Sequence, residues 1–340
     1  MFWLSFRQFR TQALVASAVL AALALVVLIG GSQMLHAYHD ALGSGSLNEF
    51  VNQHQSMGEW LSGLVLVVPG LIGIFWGAPL LARELESGTF RLAWTQSISR
   101  TRWTLCKLAL LGLAGMAVAG LCSLLVSWWA SPLDLAVGTG PFAHFDVRGV
   151  VPVAYAAFAF SLGVAAGAVI RHTVAAMGAT LVLFAGVRVA FTEWVRPHLM
   201  APLTARTPFN ITTPHRIQVG GHLPHGSWVL SESIVNGAGH AVDSGLTGLF
   251  GNLSTVSGSG VHILGVDSCP NLVPSDSQLR NPSVFSGLVA RCGDQLHLTD
   301  VVVYQPSNRY WLFQVYESLI FFALALAVGS FTVWWVRRLD

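Results

Sequence analysis

The chain has 340 residues, 53% of them hydrophobic and only 10% charged, with a mean hydropathy of +0.60. A soluble domain carries roughly 25% charged residues, so a single water-soluble core for this much apolar surface is excluded. The net charge of +2 offers no basic field for nucleic acid. The single lysine, Lys107, has no glycine loop around it, which excludes a Walker-type phosphate loop in this chain.

The apolar residues come in long blocks, as they do where lipid is the solvent. About 20 apolar residues cross the roughly 30 Å hydrocarbon layer as a helix. Six blocks meet that length: Ala13–Gly30, Trp60–Leu81, Thr104–Trp129, Val150–Ile170, Thr173–Phe191 and Phe313–Val336. The first follows Arg7 and Arg10, the pattern of a signal peptide, but its core is long and no small-x-small cleavage site follows, which favours a retained helix. Ahead of it, residues 1–12 read as an amphipathic helix with Phe2, Trp3, Phe6 and Phe9 on one face.

Charge places the loops. Arg7 and Arg10, then Arg83, Arg91, Arg100, Arg102 and Lys107, then Arg171, then Arg337 and Arg338 all fall on one side of a six-span chain. The first loop on the other side has Asp40 and Glu49 and no Arg or Lys. The positive-inside rule therefore puts both termini in the cytoplasm. Trp128–Trp129 and Trp334–Trp335 stand at span ends, where amphipathic rings prefer the interface. The Gly43–Ser46 tract reads as a flexible linker.

Residues 192–312 change composition to Gly, Ser, Asn, Pro and His, with short β-like runs at Val261–Val266 and Leu298–Tyr304. They read as a small external domain, β-rich with long irregular loops, between the fifth and sixth helices. Cys269 and Cys292 lie in it, on the oxidising side. A disulfide between them stabilises by roughly 3 kcal/mol; two free thiols are the alternative. The scattered histidines there, among them His215, His222, His225, His240, His262 and His297, lack a metal-ligand scaffold, and no enzyme constellation is visible.

The informative stretch is residues 82–103, between the second and third spans. Its four arginines, Arg83, Arg91, Arg100 and Arg102, with Lys107 just beyond, would by themselves only fix topology. It also holds apolar side chains that fit an interface or a partner's groove, among them Phe90, Leu92 and Trp94, with Gly88 able to break the helix leading in. The segment Arg83-Glu84-Leu85-Glu86-Ser87-Gly88-Thr89-Phe90-Arg91-Leu92, followed by Ser99-Arg100 and then Lys107, resembles the ABC-2-type ABC transporter permeases of bacteria. Those carry a glutamate, a Gly-Thr pair four residues on, a hydrophobic run, a small residue with Arg, and a Lys entering the third helix. Here Glu84, Gly88, Thr89, Leu92, Ser99, Arg100 and Lys107 stand in those places. The helix of residues 1–12 looks like the family's elbow helix.

The resemblance implies an all-α polytopic membrane protein of six transmembrane helices with an N-terminal elbow, residues 13–191 carrying the first five helices and 313–340 the sixth helix and a cytoplasmic tail. It implies a coupling interface to a separate ABC ATP-binding subunit, with Arg83, Glu84, Glu86, Gly88, Thr89, Phe90, Arg91, Leu92, Trp94, Ser99, Arg100 and Lys107 as its residues. A second permease subunit, identical or a sister chain, is implied as partner, together with membrane lipid. No cofactor is expected on this chain itself, ATP and magnesium belonging to the partner. A bacterial plasma membrane location follows. The large external domain departs from the short segment usual at that point, with precedent in the disulfide-bearing loop of G-subfamily transporters.

Arg188 and Glu317 are ionisable residues inside spans, where charge is costly and often functional. Both lie within a turn of the outer interface, so snorkelling, pairing with each other or with Glu193 or Arg148, or an outer-gate contact all fit. Phe75, Trp76 and Phe184 are expected to line an apolar pathway for a hydrophobic or amphipathic cargo. The rival reading is a membrane-anchored sensor or accessory protein whose external domain binds a ligand.

Overall fold

The computed structural model describes residues 21, 24–25, 27–86, 100–137, 140–208, 223–224, 226–239, 241–243, 254–257, 260–263, 266–269, 287, 291 and 293–338. The elbow helix and most of the first expected span therefore lie outside the described residues. Two compact units divide the chain, one made of residues up to Leu199 and from Tyr310 onward, the other running Met200–Arg309.

Helix α1 (residues 27–44) is followed by α2 (Leu47–Ile72), a π turn (Gly73–Gly77) and α3 (Ala78–Glu86). Then come α4 (Arg100–Val137), a 3-10 turn (Pro141–Val147), α5 (Val151–Ile170) and α6 (Thr173–Ala190). A second π turn (Phe191–Val195) and a 3-10 turn (Arg196–His198) extend α6, and α7 (Tyr310–Arg337) closes the helical unit. Among the described residues five helical stretches are long and apolar enough to cross a membrane: Leu47–Arg83, Leu108–Val137, Pro141–Ile170, Thr173–His198 and Ser307–Arg337.

The second span begins well before the apolar block at Trp60. Residues 47–59 are too polar for hydropathy to flag them, yet they are helical. Gln53 donates to Glu49 at 3.3 Å, Gln55 donates to Glu59 at 3.0 Å, and Phe50 is buried. The Gly43–Ser46 tract is correspondingly no loose linker: Gly43 and Ser44 end α1, and Gly45 and Ser46 make a tight turn into α2. Gly45 takes a positive φ of 72° there, and the Ser46 amide donates to Ala41 O at 3.1 Å. Pro69 removes a backbone donor inside α2, and the ladder widens into the π turn four residues later.

Helix α5 is the centre of the unit. Within its span 72% of the most apolar window is buried, against 22% for those of α6 and α7. Such a helix is apolar all round, as a helix with no solvent or lipid face must be. It meets the π turn and α3 through glycines. A Cβ on Gly73 would stand 2.5 Å from Ala159 O, and one on Gly77 would stand 2.6 Å from Phe160 O. Gly163 and Gly167 reciprocate against Gly73 O and Ala78 O. Lipid tails are as apolar as side chains, so it is close backbone packing of this small-xxx-small kind that holds such helices together.

A second cluster packs α1, α2 and α4 around Val27, Met34, Phe50, Val65, Val126 and Trp129. Trp129 is thus a core residue. Its neighbour Trp128 is exposed, and so is Trp334, which carries Arg338 over its ring at 4.1 Å.

The other unit is antiparallel β. Strands β1 (Leu203–Pro208), β2 (Trp228–Val235) and β3 (Ala241–Asp243) join β7 (Thr299–Gln305) in the order β1-β7-β2-β3. Strands β4 (Ser254–Ser257), β5 (Gly260–Ile263) and β6 (Val266–Cys269) form a separate sheet. Leu203 and Val229 flank Tyr304 in register, and Ile234, Leu298 and Val302 are buried beneath. Gln305 Nε2 donates to Met200 O at 2.8 Å, and Arg309 Nη1 donates to Ala201 O at 2.7 Å, which ties the two ends of the unit together. Cys292 and the side chain of Cys269 lie outside the described residues, so the expected bridge does too.

The glycine seam makes a sharp prediction. Gly163→Leu is expected to destabilise the helical unit by roughly 1–3 kcal/mol through overpacking. Gly186→Ala, where an added Cβ meets nothing within 4 Å, is expected to be tolerated. Unfolding in mild detergent checks the pair, and equal midpoints for both variants would contradict the seam.

Candidate functional site

The helical unit concentrates its polar chemistry at two ends. One end gathers the start of α5, the end of α6 and the start of α7. There the 3-10 turn presents Asp146, α5 presents Tyr155, α7 presents Glu317, and α6 with its extension presents Arg188 and Arg196. The π turn adds a residue to the helical frame after α6, so Arg196 returns to the bundle and is buried.

Arg196 is the hub. Its Nε donates to Glu317 Oε2 at 2.9 Å and its Nη2 to Glu317 Oε1 at 2.9 Å, a bidentate pair. It also forks onto Asp146, with Nη1 at 3.3 Å from Oδ2 and Nη2 in close contact with Oδ1. Tyr155 donates its hydroxyl to Glu317 Oε1 and lies 3.2 Å from Asp146 Oδ1. Arg188 Nη2 donates to Asp146 Oδ1 at 3.2 Å, and Arg188 Nη1 lies 3.7 Å from Glu317 Oε1. The Arg188 guanidinium stacks on the Tyr155 ring at 3.6 Å.

The Glu317 side chain is 0% exposed and that of Arg196 6%. Two guanidinium and two carboxylate charges balance within this cluster, the condition under which charge persists in a low-dielectric interior.

One turn earlier on α7, Gln314 serves α5 from outside. Its Oε1 accepts from the Val150 and Val151 amides at 3.1 Å each, supplying partners to donors that a helix start leaves orphaned. Its Nε2 donates to Phe145 O and Arg148 O at 3.1 Å each. Gly149, at φ +74°, leaves the room, since a Cβ there would lie 2.6 Å from Gln314 Oε1. Arg148 forks onto Asp134 of α4. Helices α4, α5, α6 and α7 are thereby stitched at this end by side chains.

At the opposite end, Glu86 closes α3. Its Oε2 accepts from Thr173 Oγ1 at 2.8 Å and from the Thr173 amide at 3.2 Å, while Oε1 lies 3.4 Å from His172 Nδ1. His172, at the start of α6, gives no side-chain cap of its own, so Glu86 fills that place. The Thr173 hydroxyl and amide hold the Glu86 carboxyl below its ordinary range.

The residues singled out by sequence fall as follows. Arg188 and Glu317 come together, but within a cluster whose hub, Arg196, and whose Asp146 and Tyr155 the sequence reading did not include. Arg148 pairs with Asp134 instead of with either. Arg83, Glu84 and Glu86 lie on the last turns of α3, while Arg100 and Lys107 lie in the first turns of α4. Gly88, Thr89, Phe90, Arg91, Leu92, Trp94 and Ser99 lie outside the described residues. Phe184, expected to line a pathway, is buried against Gly70 and Phe158, whereas Phe75 is 54% exposed.

Removing one partner of a buried pair leaves a charge uncompensated and costs roughly 3–5 kcal/mol. Arg196→Met and Glu317→Leu are each expected to destabilise the chain in mixed micelles by about that much. The double variant is expected to cost less than the sum. Additivity in that cycle would mean that the two side chains do not bear on each other.

A family profile described as ABC-2 membrane transporter related matches residues 17–196. No curated protein and no solved structure matches the chain. The matched stretch takes in α1 to α6 and ends on Arg196, so four members of the charge cluster lie within it and Glu317 lies beyond. It covers more than half of the 340 residues, and with the apolar helices it makes this a multi-pass membrane protein. The chain belongs to the ABC-2 membrane transporter related family.

Proposed function

We propose that this chain is the membrane-spanning permease subunit of an ABC-2-type transporter, exporting a hydrophobic or amphipathic compound. A separate ATP-binding subunit supplies ATP, magnesium and hydrolysis. A second permease, identical or a sister chain, completes the pathway. The chain sits in a bacterial plasma membrane with both termini in the cytoplasm and the sheet-bearing unit outside.

The observation that carries the reading is the junction at Glu86. The segment assigned to ATPase docking leaves α3 at the residue whose carboxylate caps α6. Force applied to residues 87–99 by closure of an ATPase pair therefore has a hydrogen-bonded route into the fifth span. The outward faces of α6, with Val174 83%, Val182 70% and Val189 63% exposed, are available to lipid or to the second permease.

A second reading is favoured by one observation, that Met200–Arg309 forms a compact unit of its own. In that reading the unit is the ligand-binding part of a sensor and the helices are its anchor.

A tagged chain extracted in mild detergent from its host is expected to bring down an ATP-binding chain with vanadate-sensitive ATPase activity. Glu84→Ala combined with Gly88→Pro is expected to lose the partner or the activity. Glu86→Ala is expected to keep the partner and to lower cargo-stimulated hydrolysis severalfold. Recovery of folded chain with no ATPase attached would favour the sensor.

A further inference from the structure

At the level of Phe321 helices α5 and α7 are closed on each other. The Phe321 side chain is buried, its ring 4.8 Å from that of Tyr155 and 5.5 Å from that of Phe158. Beyond it, toward the end where α4 begins and α7 finishes, a groove of about 880 Å³ opens between α4, α5 and α7, within the ~300–1,000 Å³ range of sites that hold small ligands. It is hollow because its walls are built from small residues, with Ala109 and Gly112 on α4, Ala157 on α5, and Ala325 and Gly329 on α7. A Cβ added at Gly329 would meet nothing closer than Ser161 Oγ at 3.9 Å, so the space beside it is open. The rims are lipid-facing: Leu113 is 63% exposed and Leu326 is 72% exposed.

The groove is one leaflet deep. Its wall on α7 runs from Phe322 to Trp334 and its wall on α4 from Leu105 to Met116. At about 1.5 Å per residue these walls are about 18 and about 17 Å long. Half of a roughly 30 Å hydrocarbon layer is about 15 Å. Trp334 stands at the mouth, where amphipathic rings meet the interface, and the closed rings around Phe321 stop the groove near the middle of the bilayer. Three occupants compete for such a space. Water needs several polar partners, and away from the mouth the lining offers two hydroxyls, Ser161 and Ser330. A partner's transmembrane helix crosses both leaflets, whereas this seat ends after one. A lipid tail enters from the interface and stops at mid-bilayer, as the groove does. No acidic residue lines the groove, and Arg337 at its mouth is already engaged within the chain, so the lining selects a tail and not a headgroup.

We propose that this groove holds one acyl chain of a membrane glycerolipid, whatever its headgroup, lying along α4 and α7 in the leaflet at that end of the bundle. The acyl chain makes the dispersion contacts that the small residues leave unmade and fills the wall between the third and sixth spans. The proposal rests on the protein crossing a membrane and not on the ATPase reading, so the two fail separately.

The test uses the delipidated full chain in mild detergent, titrated with palmitoyl-oleoyl phosphatidylcholine, with the phosphatidylglycerol of the same chains, or with didecanoyl phosphatidylcholine. Native mass spectrometry counts the bound lipid, and the thermal midpoint reports its effect. The two long-chain lipids are expected to be retained alike and to raise the midpoint, and the short-chain lipid to be retained severalfold less. Gly329→Leu and Ser330→Leu put a side chain into the groove from two positions, and each is expected to lower long-chain retention severalfold. Ser330 is exposed at the rim, so its variant is expected to keep the lipid-free midpoint of the parent even where Gly329→Leu lowers it. Gly178→Leu, the same change on the open face of α6, is expected to leave retention unchanged. Retention that ignores chain length, that follows the headgroup, or that survives both groove variants overturns the proposal. So does a dimer that both groove variants dissolve, which would seat a helix in the groove.

Discussion

Backbone contact between α5 and the π turn sets the geometry of the helical unit. With Gly73 and Gly77 facing Gly163 and Gly167, there is no side chain to absorb a slip of one helix along the other. The seam fixes the register of α5, and α5 in turn carries Tyr155 into the charge cluster at its first turns. The same seam fixes α3, whose last residue reaches Thr173. Two polar sites at opposite ends of the bundle are thus positioned by one run of small residues, and a disturbance of that run is felt at both.

The charge cluster has a different physical character from the seam. Close-packed glycines contribute through many weak dispersion contacts, whereas the cluster is held because any alternative strands a charge. Arg196 touches two carboxylates from two different elements, and this packing of α7 against the end of α6 gives Glu317 its bidentate partner. Buried ion pairs add little net stability over apolar residues of like volume, but they punish every wrong arrangement. That is the property of a clamp, which selects one packing of α5, α6 and α7. It is unlike a proton path, in which a carboxylate must be able to lose its partner and gain a proton.

Much of this architecture was legible in the sequence where apolar runs were long and uninterrupted. Blocks Val150–Ile170 and Phe313–Val336 match α5 and α7 to within a few residues, because nothing in them competes with a membrane span. The reading failed where helices continue through polar residues. Residues 47–59 and the stretch beyond Phe191 carry Asn, Gln, Glu and Arg, so hydropathy ends the helix while hydrogen bonding does not. The second failure hid the hub of the site. A fifth span that ends by hydropathy at Phe191 leaves Arg196 outside, and hides that Arg188 and Arg196, about two helical turns apart, share one face. Asp146 was invisible for another reason, since its place depends on a 3-10 turn that no periodicity marks. The Arg188–Glu317 contact was foreseeable because the cost of charge within a span demands a partner and few candidates existed.

Helix α6 is the element on which the two ends bear together. It touches the rest of the unit along a narrow stripe, Ala176, Thr180 and Phe184, each four residues from the next, and most of its remaining surface faces outward. A rod of that kind, about 1.5 Å long per residue, is cheap to shift along its stripe and is restrained chiefly at its tips. One tip is held by Glu86 through exposed hydrogen bonds, the other by Arg188 and Arg196 through buried charge. The exposed tip is the weaker restraint. The buried tip yields only if guanidinium and carboxylate separate or move as a group. Between the two tips α6 has no proline, and its one irregularity is the π turn at Phe191–Val195, next to the buried tip. The clamp therefore holds the packing of α5, α6 and α7 at that end of the bundle more firmly than the Glu86 hydrogen bonds hold α6 at the other.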